Sequence, residues 1–425
     1  MFPAGAQFQN GGTQPGTTNS PQLGQAPFRQ QQFVPDISLI IDVGVGGYTL
    51  DDETRQAFVS PYNLTGRADT HHQINPNTGF NLNYAELTLS APVDPYLDLF
   101  TTFHLAAFEF EIEEAYGRTR GLPFNTEIIA GKFLSHFGRL NSQHAHFWQF
   151  NDKPVVYDAF FGSENLNELG VRLSWLAPTD FFLDLGVEVL QGVNPNSFGQ
   201  QGFISGDREL RPVDWPNLIV ATAKSSFDLT DNMVLLAGLS YAQGGTRLVS
   251  GEDAADPHAG HFHAQQLSEP APLLNNYVAS TQILGADTSF RWFFDSYTEL
   301  SWQSEVLLRQ SSGSQYDNGE ASAASVLQLG GYSQLIWRFA QQWHAGFRAD
   351  VMGLNQITVA DNTPSPTIPQ TRYTTMLQYT PSEFTRLRLQ YNLDASGFSQ
   401  VAQAPVHGVF FNLNLVMGAH GAHEF

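Results

Sequence analysis

From Ile37 onward the chain alternates apolar and polar residues with a period of two, in short bursts that recur to the C-terminus. Leu39, Ile41, Val43 and Val45 interleave with Ser38, Asp42, Gly44 and Gly46. Leu183, Leu185, Val187 and Val189 share one phase, and Asp184 and Glu188 the other. Trp343, Ala345, Phe347, Ala349 and Val351 oppose His344, Gly346, Arg348 and Asp350, and Leu387, Leu389, Tyr391 and Leu393 oppose Arg386, Arg388, Gln390 and Asn392. Successive side chains of a strand point to opposite faces, so each burst is an amphipathic strand. A charged face this persistent suits a wet lumen behind a wall that faces lipid.

The connections between bursts are of two kinds. Tight turns are expected near Val93 to Pro95, Gly121 to Asn125, Pro178 to Asp180, Asp228 to Asp231, Phe294 to Ser296, Phe339 to Gln341 and Pro381 to Glu383. Longer polar or irregular stretches lie between them, at about 50–79, 138–168, 191–216, 243–278, 311–321, 353–368 and 395–405, with a short one near Phe108. Alternation of short and long connections is the signature of an all-β, antiparallel transmembrane barrel with short periplasmic turns and long extracellular loops. Seven turns and eight loops require about sixteen strands and put both termini on the turn side.

Composition narrows the alternatives. Charged residues make up 14% of the chain and aromatics 13%, too few charges for the surface of an ordinary soluble protein. The apolar runs are far shorter than the roughly 18 residues that a transmembrane helix needs, which leaves a barrel as the membrane solution. Many aromatics, among them Tyr96, Trp175, Phe182, Phe227, Trp292, Tyr297, Trp337, Trp343, Tyr379 and Phe384, collect near the tight turns, as expected of a headgroup-level belt. The chain has no cysteine, so no disulfide or thiolate metal site is available. A formal net charge of −21 argues against a nucleic-acid partner.

Two regions follow: residues 1–35, rich in Gln, Gly and Pro, read as a flexible N-terminal arm, and residues 36–425 form the barrel. The arm has no basic and apolar leader, so an export signal is expected to have been removed, and the arm is free to contact a periplasmic partner.

The working parts of such a barrel are the wall of its lumen and any loop that narrows it. The inward phase carries the acids Asp42, Glu86, Asp98, Asp184, Glu188, Asp287, Glu299, Glu305 and Asp350. It also carries the bases Arg172, Lys224, Arg291, Arg309, Arg338, Arg348, Arg372, Arg386 and Arg388. The wall is then close to neutral and the surplus acid sits in loops and turns, where it would favour cations weakly or hold divalent ions against lipopolysaccharide. Bases gather after residue 290, so opposing charged walls would set a transverse field across the lumen.

The 138–168 stretch is more aromatic than an exposed loop should be. His144, His146, Trp148, Phe150 and Tyr157 would be covered either by folding into the barrel as a constriction or by a neighbouring subunit. Histidines also pair elsewhere: His71 with His72, and His420 with His423. His258, His261 and His263 form the densest set, a candidate zinc or other divalent-ion site, since a zinc site needs about three protein donors. No spacing of hydroxyls, acids and histidines singles out a nucleophile and base, so no enzyme is expected.

Between Val93 and Asp180 the chain reads Val-Asp-Pro-Tyr, then Glu-Glu-Ala-Tyr with Gly-Leu-Pro, then Phe-Gly-Arg-Leu-Asn-Ser-Gln-His-Ala-His-Phe-Trp, then Gly-Val-Arg-Leu-Ser-Trp-Leu-Ala-Pro-Thr-Asp. With the ending Gly-Ala-His-Gly-Ala-His-Glu-Phe, this resembles a family of bacterial outer-membrane proteins often labelled zinc-regulated, TonB-dependent receptors. The last alternating strand, Val409, Phe411, Leu413, Leu415 and Met417, with terminal Phe425, is similar to the assembly signal of outer-membrane barrels. The resemblance implies the outer membrane of a Gram-negative bacterium. The chain lacks the length for a plug domain and the ~22 strands of large outer-membrane transporters, and in size it fits a porin. The main expectation is a passive diffusion channel for small hydrophilic solutes or ions, with weak cation preference, no required cofactor, contact with lipid and lipopolysaccharide, and assembly as a homotrimer. Capture of zinc or calcium by His-rich loops and a structural or adhesive barrel are the two alternatives.

Overall fold

Each alternating stretch forms a strand, because only pairing on both edges satisfies its backbone groups away from water. A computed structural model of the chain describes residues 35–56, 60, 62–64, 74–106, 109–249, 274, 276–362, 369–395 and 405–418. The first strands are β1 (Asp36–Tyr48), β2 (Gly79–Asp94), β3 (Leu97–Ala106), β4 (Glu109–Thr119) and β5 (Thr126–Leu134). They are followed by β6 (Asn167–Leu176), β7 (Phe182–Leu190), and a small separate hairpin of β8 (Phe203–Ser205) and β9 (Arg208–Leu210). Then come β10 (Leu218–Thr230), β11 (Met233–Leu248), β12 (Tyr277–Phe293), β13 (Glu299–Asp317) and β14 (Glu320–Ala340). The last are β15 (Trp343–Val359), β16 (Gln370–Ser382), β17 (Thr385–Asp394) and β18 (Val406–Gly418). Two short helices, α1 (Asp52–Gln56) and α2 (Val155–Phe161), lie in connections.

Among the described residues, sixteen strands, β1–β7 and β10–β18, pair antiparallel in ring order and close into a barrel where β1 meets β18. Closure leaves no free edge. The register there, Ile41 opposite Leu415 and Asp42 opposite Asn414, keeps apolar residues on one face and polar ones on the other across the seam. Both ends of the described barrel, Asp36 and Gly418, lie on the side of the tight turns, which is the periplasmic side.

The outer wall is apolar. Leu173, Val187, Ile219, Leu239, Leu284, Val306, Leu389 and Phe411 are exposed on it, and Tyr96, Phe182, Phe294, Tyr297, Trp337 and Phe384 are exposed near the turns. A water-facing surface would not carry such a band, whereas a lipid-facing one does, with aromatics at headgroup level. The barrel is therefore transmembrane.

One connection differs from the sequence expectation. The 311–321 stretch is not a loop: β13 runs to Asp317, β14 starts at Glu320, and only Asn318 and Gly319 lie between them. Asn318 (φ 49°) and Gly319 (φ 86°) both adopt left-handed backbone, the conformation that an Asn-Gly hairpin turn supplies at least cost. Polar Ser, Gly and Gln residues made this stretch look irregular, yet at 19 and 21 residues β13 and β14 simply outrun the roughly 9–11 that a membrane requires. They carry the wall beyond the bilayer.

Candidate functional site

The long connection between β5 and β6, residues 135–166, lies inside the barrel. Phe137, Leu140, Trp148, Val155, Val156, Tyr157, Phe160, Phe161 and Leu166 are buried there with Leu190, Leu218, Val220, Ile283, Leu307, Tyr332 and Met352 of the wall. Rings that would be costly in a solvated loop thus form a hydrophobic core in the middle of a polar lumen. Phe198, from the connection between β7 and β10, and Tyr62, from that between β1 and β2, join the same cluster.

Polar anchors fix the inserted segment around the ring. On β7, the Glu188 carboxylate accepts from Ser135 Oγ (2.6 Å) and from the His136 N–H (2.9 Å). Ser240 of β11 accepts the Gly138 N–H, and Lys224 of β10 donates to the Gly138 carbonyl (2.7 Å). Gly138 has φ +62°, and a Cβ there would collide with the Tyr157 hydroxyl and with Glu305, so glycine is needed on both counts. On β13, Glu305 accepts from the N–H groups of Arg139 (2.9 Å) and Leu140 (3.1 Å), from Tyr157 Oη (2.7 Å), and from the Tyr332 hydroxyl. Asp350 of β15 accepts the Val155 N–H at the start of α2.

The remaining anchors sort by charge. Asp152 of the segment faces arginines: Arg372 Nη1 lies 3.0 Å and Arg348 Nη2 3.1 Å from its carboxylate, which also accepts from Gln390 and Asn392. Arg386 donates to the His146 carbonyl (2.7 Å), and Arg388 to the Trp148 carbonyl (3.1 Å) and to Asn151 Oδ1 (3.2 Å). Toward β2 and β4 the segment presents imidazoles to glutamates. His144 Nε2 donates to Glu114 Oε2 of β4 at 2.7 Å, and His146 Nδ1 to Glu86 Oε2 of β2 at 3.1 Å. Like-charge contact is avoided at both poles, which orients the segment in one sense.

The imidazole pole borders a cavity of about 50 Å³ that is also lined by His104, Glu111, Glu113, Glu164 and Asn165. Burial works against a charge on His144, but the Glu113, Glu86 and Glu114 carboxylates hold its imidazole well above the usual histidine range. Asp152 behaves oppositely: burial would raise its pKa, and Arg348 and Arg372 hold it below the usual aspartate value. A depressed folded-state pKa stabilises the segment fully above the unfolded value of about 3.9, and this stabilisation is lost as pH falls through the folded value. Asp152→Asn is expected to loosen residues 135–166 by about 1–3 kcal/mol at pH 7, given that the carboxylate is 22% exposed, and by progressively less as pH falls below the unfolded aspartate value and through the depressed folded-state one. Protease cleavage within the segment, followed against pH for both proteins, checks this; a difference independent of pH would sink it.

All eighteen charged positions read from the alternation, from Asp42 and Glu86 to Arg386 and Arg388, fall on the interior-facing phase of their strands. They do not form one face. Arg309 is wholly buried and donates to the Tyr62 and Asn196 carbonyls, Ser197 Oγ and Gln328 Oε1 while lying over the Phe160 ring. Asp98 pairs with Arg120 and Arg118 near the turns, Arg172 with Asp184, and Arg291 with Glu299. The expected opposition of charged walls needs correction. The arginine sector on β15–β17 and the glutamate sector on β2–β4 are separated in ring order only by β18 and β1. They flank one another because the chain's two ends meet at the seam.

Sequence reasoning missed Glu113 and Glu114. Phe110 and Ile112 point outward, so strict alternation would send Glu114 outward too. The pairing shifts between Thr102 and Phe103, whose partners are Glu114 and Ile112, leaving Glu113 as the extra residue of a β-bulge. Adjacent glutamates interrupting the alternation were the available signal. His258, His261 and His263 lie outside the described residues, as do His71, His72, His420, His423 and the N-terminal arm.

No protein-family model matches the chain. The outer membrane channel DcaP of Acinetobacter baumannii superimposes with a TM-score of 0.52 at 9% identity, covering 92% of this chain and 99% of that one. OmpF of Salmonella typhi, solved in complex with daunomycin, gives a TM-score of 0.49 at 7% identity, over 92% and 99% of the two chains. The fold is that of porin-like outer-membrane barrels. In sequence, an uncharacterized protein of Aquifex aeolicus (strain VF5) is 40% identical over 405 residues, 94% of this chain and 82% of that protein. At that identity over nearly its whole length, the chain belongs to the family of this Aquifex aeolicus protein.

Proposed function

We propose that the protein is an outer-membrane channel of low conductance for small hydrophilic solutes and ions, in which residues 135–166 form the constriction. The observation that carries this reading is the anchoring of that segment to β2, β4, β7, β10, β11, β13, β15, β16, β17 and β18, which makes it the element that any solute crossing the lumen must pass. Its anchors are charged groups of the wall, so selection at the constriction is by charge as well as size. The arginines of β15–β17 are engaged by Asp152 and by carbonyls of the segment; Glu86, Glu111, Glu113 and Glu164 border a cavity, Glu86 beside His146, Glu113 beside His144 and Glu111 paired with Lys132, so that acids outnumber bases there. Field lines from these acids favour cations.

The test is a planar bilayer with refolded protein in a tenfold KCl gradient. Small, stable steps and a reversal potential of cation-selective sign are expected, reduced in a Glu111→Gln/Glu113→Gln double variant. A reversal potential of anion-selective sign would overturn the preference. Absence of steps from protein that runs as a folded, heat-modifiable barrel would overturn the channel itself.

A further inference from the structure

The imidazole pole of the inserted segment holds more than charge complementarity. Among the described residues, Glu86, Glu113 and His144 place one donor atom each within 4.8 Å of one another. They come from β2, from the bulge of β4 and from the inserted segment, so the chain meets itself there from three directions. His144 Nδ1 lies 3.2 Å from Glu113 Oε1 and 3.9 Å from Glu86 Oε2. Donors of a tetrahedral site with bonds of 2.0–2.1 Å stand ~3.4 Å apart, so these separations bracket the spacing an ion would impose.

The hydrogen bonds point the same way. Because Nε2 donates to Glu114, Nδ1 is the atom that His144 turns toward the Glu113 and Glu86 carboxylates; those acids favour a positive charge at this point, and an ion bound there would replace the proton on Nδ1. Nδ1 of His144 and Oε2 of Glu113 are buried and have no hydrogen-bond partner. Electron-pair donors turned toward one point repel each other unless a positive charge lies between them. A carboxylate that receives the second N–H of an imidazole is also the arrangement that orients a metal-bound histidine. His146 plays the equivalent part for Glu86, donating to its Oε2 and leaving further lone pairs of the carboxylate for an ion. The adjoining cavity has room for a fourth, solvent ligand.

We propose that Glu86, Glu113 and His144 bind a divalent transition-metal ion, with Glu114 and His146 as positioning residues, and that the ion ties the inserted segment to β2 and β4. One imidazole and two carboxylates form a mixed N/O set suited to ions of the zinc type. The site is built from residues other than His258, His261 and His263, and it stands or falls separately from conduction, since it is read at equilibrium in detergent.

The full chain, refolded in detergent and dialysed against chelator, is titrated with Co²⁺ as a spectroscopic probe and then with Zn²⁺ in competition. One Co²⁺ per chain with visible ligand-field absorption is expected, displaced by Zn²⁺, together with slower protease cleavage within 135–166. His144→Gln and Glu113→Gln each remove a ligand and should weaken binding at least ~100-fold, and Glu114→Gln should weaken it ~10-fold. A variant with His258, His261 and His263 all changed to alanine should keep the ion and its spectrum. Variants are compared as heat-modifiable, folded barrels. The proposal is overturned if wild-type protein binds no ion, in which case a proton on His144 serves the carboxylates. It is equally overturned if His144→Gln and Glu113→Gln bind as wild type, or if only the triple alanine variant loses the ion.

Discussion

Replacing residues 143–153 by a Gly/Ser stretch of equal length opens the barrel, raising single-channel conductance at least about fivefold. The replacement removes His144, His146, Trp148, Phe150, Asn151, Asp152 and Lys153 while leaving the wall intact. These residues supply the contacts to Glu114, Glu86, Arg388, Asn412, Arg348 and Arg372, and the Phe150 ring packs with Ile336 and Met376. A Gly/Ser chain has no charged, imidazole or aromatic side chains with which to remake them, and its conformational entropy favours leaving the lumen. The barrel itself survives because its strand pairs and lipid-facing surface do not involve the segment. Conductance equal to wild type in a folded variant would show that these residues do not narrow the path.

Glu305→Leu releases the same segment from its other end, with a local cost of about 3–5 kcal/mol. The native carboxylate is wholly buried and gathers two backbone N–H groups and two phenols. Leucine fills much of the volume but accepts nothing, so donors at Arg139, Leu140, Tyr157 and Tyr332 lose their partner together. Local opening rather than global unfolding should report this, because β13 keeps its pairing with β12 and β14. Protease cleavage within 135–166 should accelerate about a hundredfold to a few thousandfold, with Glu305→Gln intermediate because the amide still accepts. A cleavage rate unchanged from wild type would mean that the carboxylate is dispensable to the segment's hold.

The barrel was legible in the chain because its evidence is local. Inward and outward phases follow from period two within each strand, and the tight turns at 95–96, 231–232 and 341–342 announce themselves through Pro, Asp, Asn or polar residues at the end of an amphipathic run. Local reading failed where backbone geometry departs from the regular pattern. At Asn318-Gly319 the dipeptide is a hairpin signal, but the polar residues on either side hid it. At Glu113 a single extra residue reverses the phase, so Glu114 turns inward against the alternation.

The candidate site was legible only in part. The aromatic excess of 138–168 showed that those rings need cover, and the inward phase named Glu86, Glu305, Arg348 and Arg388 as interior groups. Nothing in the linear order says that His146 meets Glu86 or that Asn151 meets Asn412, which lie 60 and 261 residues apart. Those meetings depend on how β1 and β18 close the ring, since closure brings the arginine and glutamate sectors beside one another at the seam. Alternation, turn chemistry and composition are properties of neighbouring residues, and by themselves they determined a lipid-facing barrel with a charged interior. Which of those charges hold the inserted segment, and which turn toward a common point at His144, was decided by tertiary structure, because it is set by register and bulge across strands that share no local sequence.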